Sequence, residues 1–410
     1  MSLRPRPVDF DQIWTPLKNS LLRIMKLECI TRTDWDNHFH DVYALCVACP
    51  KDHSQQLYDE IKKTLEAHNR VATHNDERLL EAYKDSWLIY NKGAEYVDKL
   101  FGYLNNQFIR KQKYTEADIN FGGISAEQIR SSMLEIGELA LEIWRRLMIA
   151  PLEEKLVKLL LDGIKKDRDG LNVQNNVIKS VLTSFVEVEK RLKENMELYQ
   201  KLFEEKFLEK TSEHYSREAA SLLESLTCSE YMQRVLSRIR EEDLRSRRFL
   251  DPSSYDKVIK VCQTVMVESH IDFLSTVVHS MIRNEQLQDL SNLYTLVKPL
   301  SKTQGLDILV REFENHVKTI AIECVINLSN DPVQVPQQFI EGILSIHKRF
   351  SGMVHSVFQN DQDFVAALDR LAKYTDHLLR KSSKGLSDTE IEEKGHLFVE
   401  IFFFNSQQKS

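Results

Sequence analysis

The chain has 410 residues and a formal net charge of −7, from 55 Lys and Arg against 62 Asp and Glu. Its 12 Gly and 9 Pro make up about 5% of the sequence, under half the usual share. That excludes β-sandwiches, collagen-like repeats and Gly/Ser linkers, which rely on these residues at turns and close approaches. A hydrophobic fraction of 42% with 29% charged residues excludes a disordered chain, and so mild a charge argues against nucleic acid or a membrane surface as main partner.

The opening MSLRPRPVDFDQIW lacks the apolar core of a secretory signal, and Pro5 and Pro7 keep it extended. No apolar run approaches the ~18 residues that span a bilayer. Six cysteines at irregular spacing fit a reducing compartment, so a cytoplasmic or nuclear location is expected. From Tyr83 an apolar stripe runs through Trp87, Tyr90, Ala94, Val97, Phe101, Leu104 and Phe108, in steps of three or four that predict a long helix. Lys84, Asp85, Lys92, Glu95 and Asp98 fall on its wet side. A second stripe takes Leu141, Trp144, Leu147 or Met148, Leu152, Leu156, Leu159 and Leu160, and Pro151 within it predicts a kink or a fresh helix start.

Gly170 after Asp167-Arg168-Asp169 predicts a left-handed helix cap. Tyr231, Val235, Ile239 and Leu244 form a third stripe, and Asp251-Pro252-Ser253-Ser254 reads as a turn and helix start. Looser connections are expected at Thr303-Gln304-Gly305 and from Asn330 to Pro336. Helix hairpins on short turns predict an all-α chain of stacked bundles or an α-solenoid. No short repeat of the TPR, HEAT or ankyrin type is present.

The candidate chemistry is sparse. Cys46 and Cys49 form a single CxxC without the second ligand pair of a zinc site or the βαβ context of a redox motif, so two buried, inert thiols are expected. His38 and His40 sit two apart, which places them on different sides of a helix and not in a chelating pair; solvated histidines are expected. Arg245, Arg247 and Arg248 follow Glu241, Glu242 and Asp243, which predicts an internally compensated face. No phosphate-binding loop, nucleophile elbow or kinase signature occurs. No catalytic residue, cofactor or metal site is expected.

The strings WDNHFHDVYALCVACP (35–50), GAEYVDKLFGYLNNQFIRK (93–111), EIGELALEIWRRLMIAPLEEKLVKLLLDGIKKDRDG (135–170), YQKLFEEKFLEKTSEHYSREA (199–219), SEYMQRVLSRIREEDLRSRRFLDPSSY (229–255) and QDFVAALD (362–369), with the N-terminal opening, resemble the cullins, scaffolds of multisubunit ubiquitin ligases. They are most like the Elongin-binding branch, the cullin-two subtype, over about residues 1–370. The resemblance implies three stacked five-helix repeats forming a long curved stalk: an adaptor-binding strand at 1–12, then repeats at 13–150, 151–265 and 266–370. It implies a non-catalytic scaffold that binds the Elongin B–Elongin C adaptor, and through it a VHL-box-type substrate receptor, in ubiquitin-dependent degradation.

Carried onto this chain, the adaptor contacts are Leu3, Arg4, Pro5, Val8 and Phe10 of the strand. Asn37, Phe39, Val42, Tyr43, Leu45 and Cys46 follow from the second helix, and Tyr103, Asn106, Gln107, Phe108 and Lys111 from the fifth. Phe39 and Tyr43, four apart, are aromatic anchors of the kind enriched at interface hot spots. Residues 371–410 resemble only the start of the family's C-terminal region, which docks the RING-box protein and bears the activating lysine. A truncated isoform or an incomplete gene product is therefore expected, acting through the intact family member or against it as a competitor for adaptors, with Phe402, Phe403 and Phe404 in a sticky tail. A helical vesicle-tethering subunit, whose stacked bundles are similar, is the alternative.

Overall fold

The computed structural model describes residues 8–68, 78–112, 133–193, 196–300, 305–326 and 335–370. Every regular element among them is a helix, as the scarcity of chain breakers requires. The chain divides into two compact units, Met1–Glu209 with Arg245–Tyr255, and Lys210–Leu244 with Asp256–Ser410.

Unit 1 opens with α1 (Phe10–Met25), α2 (Arg32–Cys46), α3 (Ser54–His68) and α4 (Leu79–Leu100). Asp9 caps α1, its Oδ1 accepting from the amides of Asp11 at 3.0 Å and Gln12 at 3.3 Å. Residues 10–12 are therefore helical, a correction to the extended strand expected over 1–12; residues 1–7, with both prolines, lie outside the described residues. The first stripe lines the inner side of α4, where Tyr83, Trp87, Tyr90, Ala94 and Val97 are buried. α1 crosses α4 at Gly93, where a Cβ would stand 2.8 Å from Met25 Cα. Only glycine fits that crossing.

The chain continues through α5 (Gly102–Leu104), a π turn at Asn105–Ile109, α6 (Arg110–Gln112) and α7 (Ile136–Trp144). A second π turn, Arg145–Ile149, leads directly into α8 (Ala150–Arg168). Pro151 sits in the first turn of α8. The wider π turn accommodates a residue that lacks an N–H and crowds the preceding turn, so the helix restarts there without a loop. Unit 1 also holds α9 (Asn175–Lys193), α10 (Glu197–Tyr199) and a third π turn, Gln200–Glu204.

Gly170 ends α8 at φ +77°. Its amide donates to Asp167 C=O at 3.1 Å and the Leu171 amide to Lys166 C=O at 2.9 Å, the paired bonds of a Schellman cap. Asp167 also receives Arg245 Nε at 2.7 Å and Arg248 Nη1 at 2.9 Å. Arg245 and Arg248 thus have a partner on α8, outside the acidic run that precedes them in sequence.

α11 (Glu205–Ser225) and α12 (Cys228–Phe249) precede a cap at Asp251, whose Oδ1 accepts from Ser253 N at 2.9 Å. α13 (Tyr255–Met266), α14 (Ile271–Ser275), α15 (Val278–Arg283), α16 (Leu287–Val297), α17 (Leu306–Ile326), α18 (Val335–Ser356) and a helical stretch over 362–370 follow. The repeat boundaries expected at 150 and 265 fall within α8 and α13. In the core of unit 2, Phe313 meets Phe350, Phe358 and Phe364 edge-on at 5.5–5.7 Å, and Phe358 stacks on Phe364 at 3.8 Å. Tyr231 and Val235 are buried as the third stripe predicts, but Leu244 is 63% exposed. Five residues beyond Ile239, it has turned away from the core, and the buried positions pass to Glu242 and Ser246. Glu242 accepts Tyr215 OH at 2.7 Å.

Leu27 ends α1 in the left-handed region at φ 57°. Its amide donates to Ile24 C=O and that of Glu28 to Arg23 C=O, both at 2.9 Å: a Schellman cap with leucine where glycine is at ease. Leu27 is 42% exposed, so Leu27→Gly is expected to raise stability by about 0.5–1 kcal/mol in urea unfolding. A loss would mean that the leucine side chain contributes more than its backbone strain costs.

Acid is expected to weaken unit 2. Burial, reinforced by Arg349 and His279 against the opposing Glu285 and Glu323, lowers the pKa of His316 below the ordinary 6.5. Burial also lowers that of His347, against the opposing pull of Asp369. Below pH 6.5 the unfolded chain therefore takes up protons that the folded state refuses, and stability falls with pH until the folded values are passed. The Tm should be lower at pH 5.5 than at pH 7.5, and His316→Leu should shrink that difference. An unchanged difference in the variant would remove His316 from the account.

Candidate functional site

α2 starts at Thr31, whose Oγ1 accepts from Asp34 N at 3.1 Å. Its inner side presents His38, Val42 and Leu45, all buried. His38 is thus no solvated histidine: its Nε2 lies 2.8 Å from Ser20 Oγ on α1 and its Nδ1 3.2 Å from Asp41 Oδ2. His40, two residues on, is exposed and bonds Asp36 C=O through Nδ1 at 2.7 Å.

The outer flank of α2 carries Phe39, 43% exposed, with Tyr43 and Cys46 half-buried beyond it. α2 packs against α5, and there the Tyr43 and Tyr103 rings meet edge-on at 4.9 Å and 71°. Burial, with Tyr43 and Cys46 adjacent, raises the Tyr103 hydroxyl pKa. Burial pushes the Cys46 thiol to about 11, against a lowering bond with Ser54, so it stays protonated. Cys49 is exposed, beyond the end of the helix. The two thiols therefore differ in environment, a correction to the buried pair expected.

Of the residues carried over, the structure brings together Phe39, Tyr43, Cys46 and Tyr103. Asn106, Gln107 and Lys111 are exposed on the segment that follows Tyr103, and Phe108 is half-buried there. Asn37 is exposed, but two residues before Phe39 it lies about 160° around the helix, on the opposite flank. Val42 and Leu45 are fully buried and Phe10 is 7% exposed. Phe10 stacks on Trp14 at 6.2 Å and tilts onto His53 at 5.6 Å. These three carried-over residues, Val42, Leu45 and Phe10, therefore belong to the core and not to the exposed surface. Val8 is half-buried, and Leu3, Arg4 and Pro5 lie outside the described residues.

A polar network missed by sequence reasoning holds the Asn105–Ile109 turn. Asn105 is 4% exposed; its Nδ2 donates to Asp98 Oδ1 at 2.8 Å and its Oδ1 accepts from Ile136 N at 2.9 Å. The Gly137 amide donates to the same Asp98 oxygen at 2.9 Å, and a Cβ at residue 137 would stand 2.9 Å from Asp98 Cγ. Arg110 closes the outside with Nε and Nη2 each 3.0 Å from the Glu135 carboxylate. Asp98 thus anchors the N-terminus of α7 and is no simple wet-face residue. The bonds span 7 to 39 residues of sequence, so no local pattern announces them.

Among the described residues no group of three or more His, Cys, Asp or Glu is placed to hold a metal, and no helix is long and apolar enough to cross a membrane. The site is a surface of aromatic and amide side chains, suited to contact with a partner.

The cullin alpha solenoid domain matches residues 14–408. The chain is 37% identical to cullin-2 of Caenorhabditis elegans over 443 aligned positions, covering 98% of this chain and 55% of that protein. It is 26% identical to cullin-1 of Dictyostelium discoideum, covering 95% of this chain and 55% of the relative. For cullin-1 of Caenorhabditis elegans the identity is 23%, covering 96% and 57%. The chain thus spans little more than half the length of these relatives. With the match extending over nearly all its residues, the chain belongs to the cullin family.

Proposed function

We propose that this chain is a non-catalytic scaffold arm of a cullin-RING ubiquitin ligase that binds the Elongin B–Elongin C adaptor, and a VHL-box-type receptor carried by it, through the α2–α5 surface of unit 1. The observation that carries the reading is the exposed Phe39 beside the Tyr43–Tyr103 pair, in a chain of the cullin family. Aromatic side chains half-embedded in a rigid base lose little conformational freedom on binding, which suits them to anchor a partner. Asn106 and Gln107 beside them supply donors and acceptors for a polar rim. The vesicle-tethering alternative rested on fold likeness and gains no support from these residues.

The scaffold reading places the work in the cytoplasm or nucleus and leaves conjugation to a RING-box protein and its conjugating enzyme. The test is co-elution in size-exclusion chromatography of the purified chain, Elongin B–Elongin C and a VHL-box receptor. One complex containing all components is expected. Separate elution at concentrations of about 10 μM would overturn the reading.

A further inference from the structure

Three helices pack along α4. α1 crosses it at Gly93, and α7 sets Trp144 against Tyr83, Trp87 and Tyr90. α9 brings Glu187 to Asn91 at 2.9 Å and Arg191 to Glu95 at 3.2 Å. The remaining side exposes Leu88 at 52%, Ile89 at 44% and Tyr96 at 39%. Single apolar side chains on a surface are ordinary, but Ile89, Tyr96 and Tyr103 stand seven apart in sequence. Each step of seven returns to within about 20° of the same direction and rises about 10 Å. Helical bonding runs on across Phe101, whose amide donates to Val97 C=O and whose carbonyl accepts from Asn105 N, both at 3.0 Å. The three side chains therefore line up over about 21 Å of α4 and α5. This is the spacing by which one helix receives another along a seam.

One flank of the seam is basic. The Lys92 and Lys99 ammonium groups stand 5.3 Å and 5.8 Å from the centre of the Tyr96 ring. Glu95 takes both Lys92 at 2.8 Å and Arg191 at 3.2 Å, and Lys99 adds a further positive charge, so a carboxylate on a partner meets a favourable field there. The seam ends at the α2–α5 surface, because Tyr103 packs edge-on against Tyr43. Its size decides what kind of contact it makes. A strip about 21 Å long and one helix wide offers roughly 200–400 Å², well below the ~800 Å² per partner of a standard interface. It is too small to hold a second copy of this chain unaided. It is large enough to extend an interface held at the neighbouring α2–α5 surface.

We propose that the α4 seam takes an amphipathic helix of the substrate receptor, apolar at heptad spacing and acidic along the flank that meets Lys92 and Lys99. The adaptor is seated on α2–α5 in the reading above and the seam leads away from it, so the further chain of that complex, the receptor, is its occupant. The inference rests on that reading and adds to it a direct contact between receptor and arm.

Calorimetric titration of the full chain with Elongin B–Elongin C, alone and carrying a VHL-box receptor, tests the proposal. The receptor-bearing assembly should bind at least about tenfold more tightly than the adaptor alone. Ile89→Ser combined with Tyr96→Ser should cancel most of that gain, while adaptor-only binding changes less than about twofold and the Tm is kept. Lys99→Glu should lose at least about threefold of the gain at low salt and less at high salt. Equal affinity of the two assemblies for the unmutated chain, or an undiminished gain in the double variant, would overturn the inference and leave the adaptor reading in place. Equal weakening of both assemblies by the double variant would put the adaptor on the seam and overturn the assignment to the receptor. No binding of either assembly would overturn the adaptor reading and this inference with it.

Discussion

Replacing Trp144 with alanine should destabilise unit 1 by about 3–5 kcal/mol, the largest single-residue effect expected in the chain. Its side chain is 1% exposed. The indole lies against Tyr90 at 4.8 Å, Trp87 at 5.4 Å and Tyr83 at 5.6 Å. Its Nε1 donates to Tyr83 OH at 3.0 Å, and that hydroxyl also meets Ser184 Oγ at 2.9 Å. Truncation leaves a cavity among rings from α4, which close packing prevents from collapsing. Urea unfolding reads the loss as a lower midpoint with unchanged slope. Tyr83→Phe separates the polar part: it strands the indole N–H and should cost about 1–3 kcal/mol. A loss below about 1.5 kcal/mol for Trp144→Ala would mean that this cluster is not the centre of the unit.

Tyr43→Lys should weaken Elongin B–Elongin C binding by at least about 30-fold, the equivalent of about 2 kcal/mol. The change removes the ring that packs edge-on against Tyr103 at 4.9 Å and sets a charge amid aromatic surface. Because Tyr43 is half-exposed, folding should change by only about 1 kcal/mol, so a normal melt with lost binding separates the two effects. Asn37→Ala, on the opposite flank of α2, serves as the internal control and should alter affinity less than about threefold. If the two variants bind alike, the Phe39–Tyr43 side is not the contact.

The long stripes were legible because helical periodicity is a local property. Tyr83 through Leu104 spaces seven apolar side chains at threes and fours, and all seven are buried. Gly170 was legible for a similar reason, since a left-handed cap needs a residue without a Cβ. What escaped were choices made between distant segments. His38 stands among Asp34, Asp36 and Asp41 and reads as wet, yet Ser20 of α1 draws it inward. Arg245 and Arg248 follow three acidic residues, and nothing local announces that both also bond Asp167, about 80 residues away.

The π turns hide for another reason. A shift of one residue, as at Phe108 and Ile109, lies within the tolerance of any three-or-four pattern. Of the candidate surface, Tyr43 and Tyr103 come from separate strings and their rings meet edge-on, while Phe39 is exposed one turn before Tyr43 on α2. Val42, Leu45 and Phe10 were drawn from the same strings yet are buried, because an apolar residue is equally suited to contact and to core.

The central claim is that this arm recognises an Elongin-type adaptor through unit 1. A calorimetric titration of the intact chain with purified Elongin B–Elongin C tests it most directly. The account predicts a one-to-one complex with Kd below about 1 μM, weakened at least about 30-fold by Tyr43→Lys and retained by Asn37→Ala. No heat and no complex at about 50 μM of either component would contradict it.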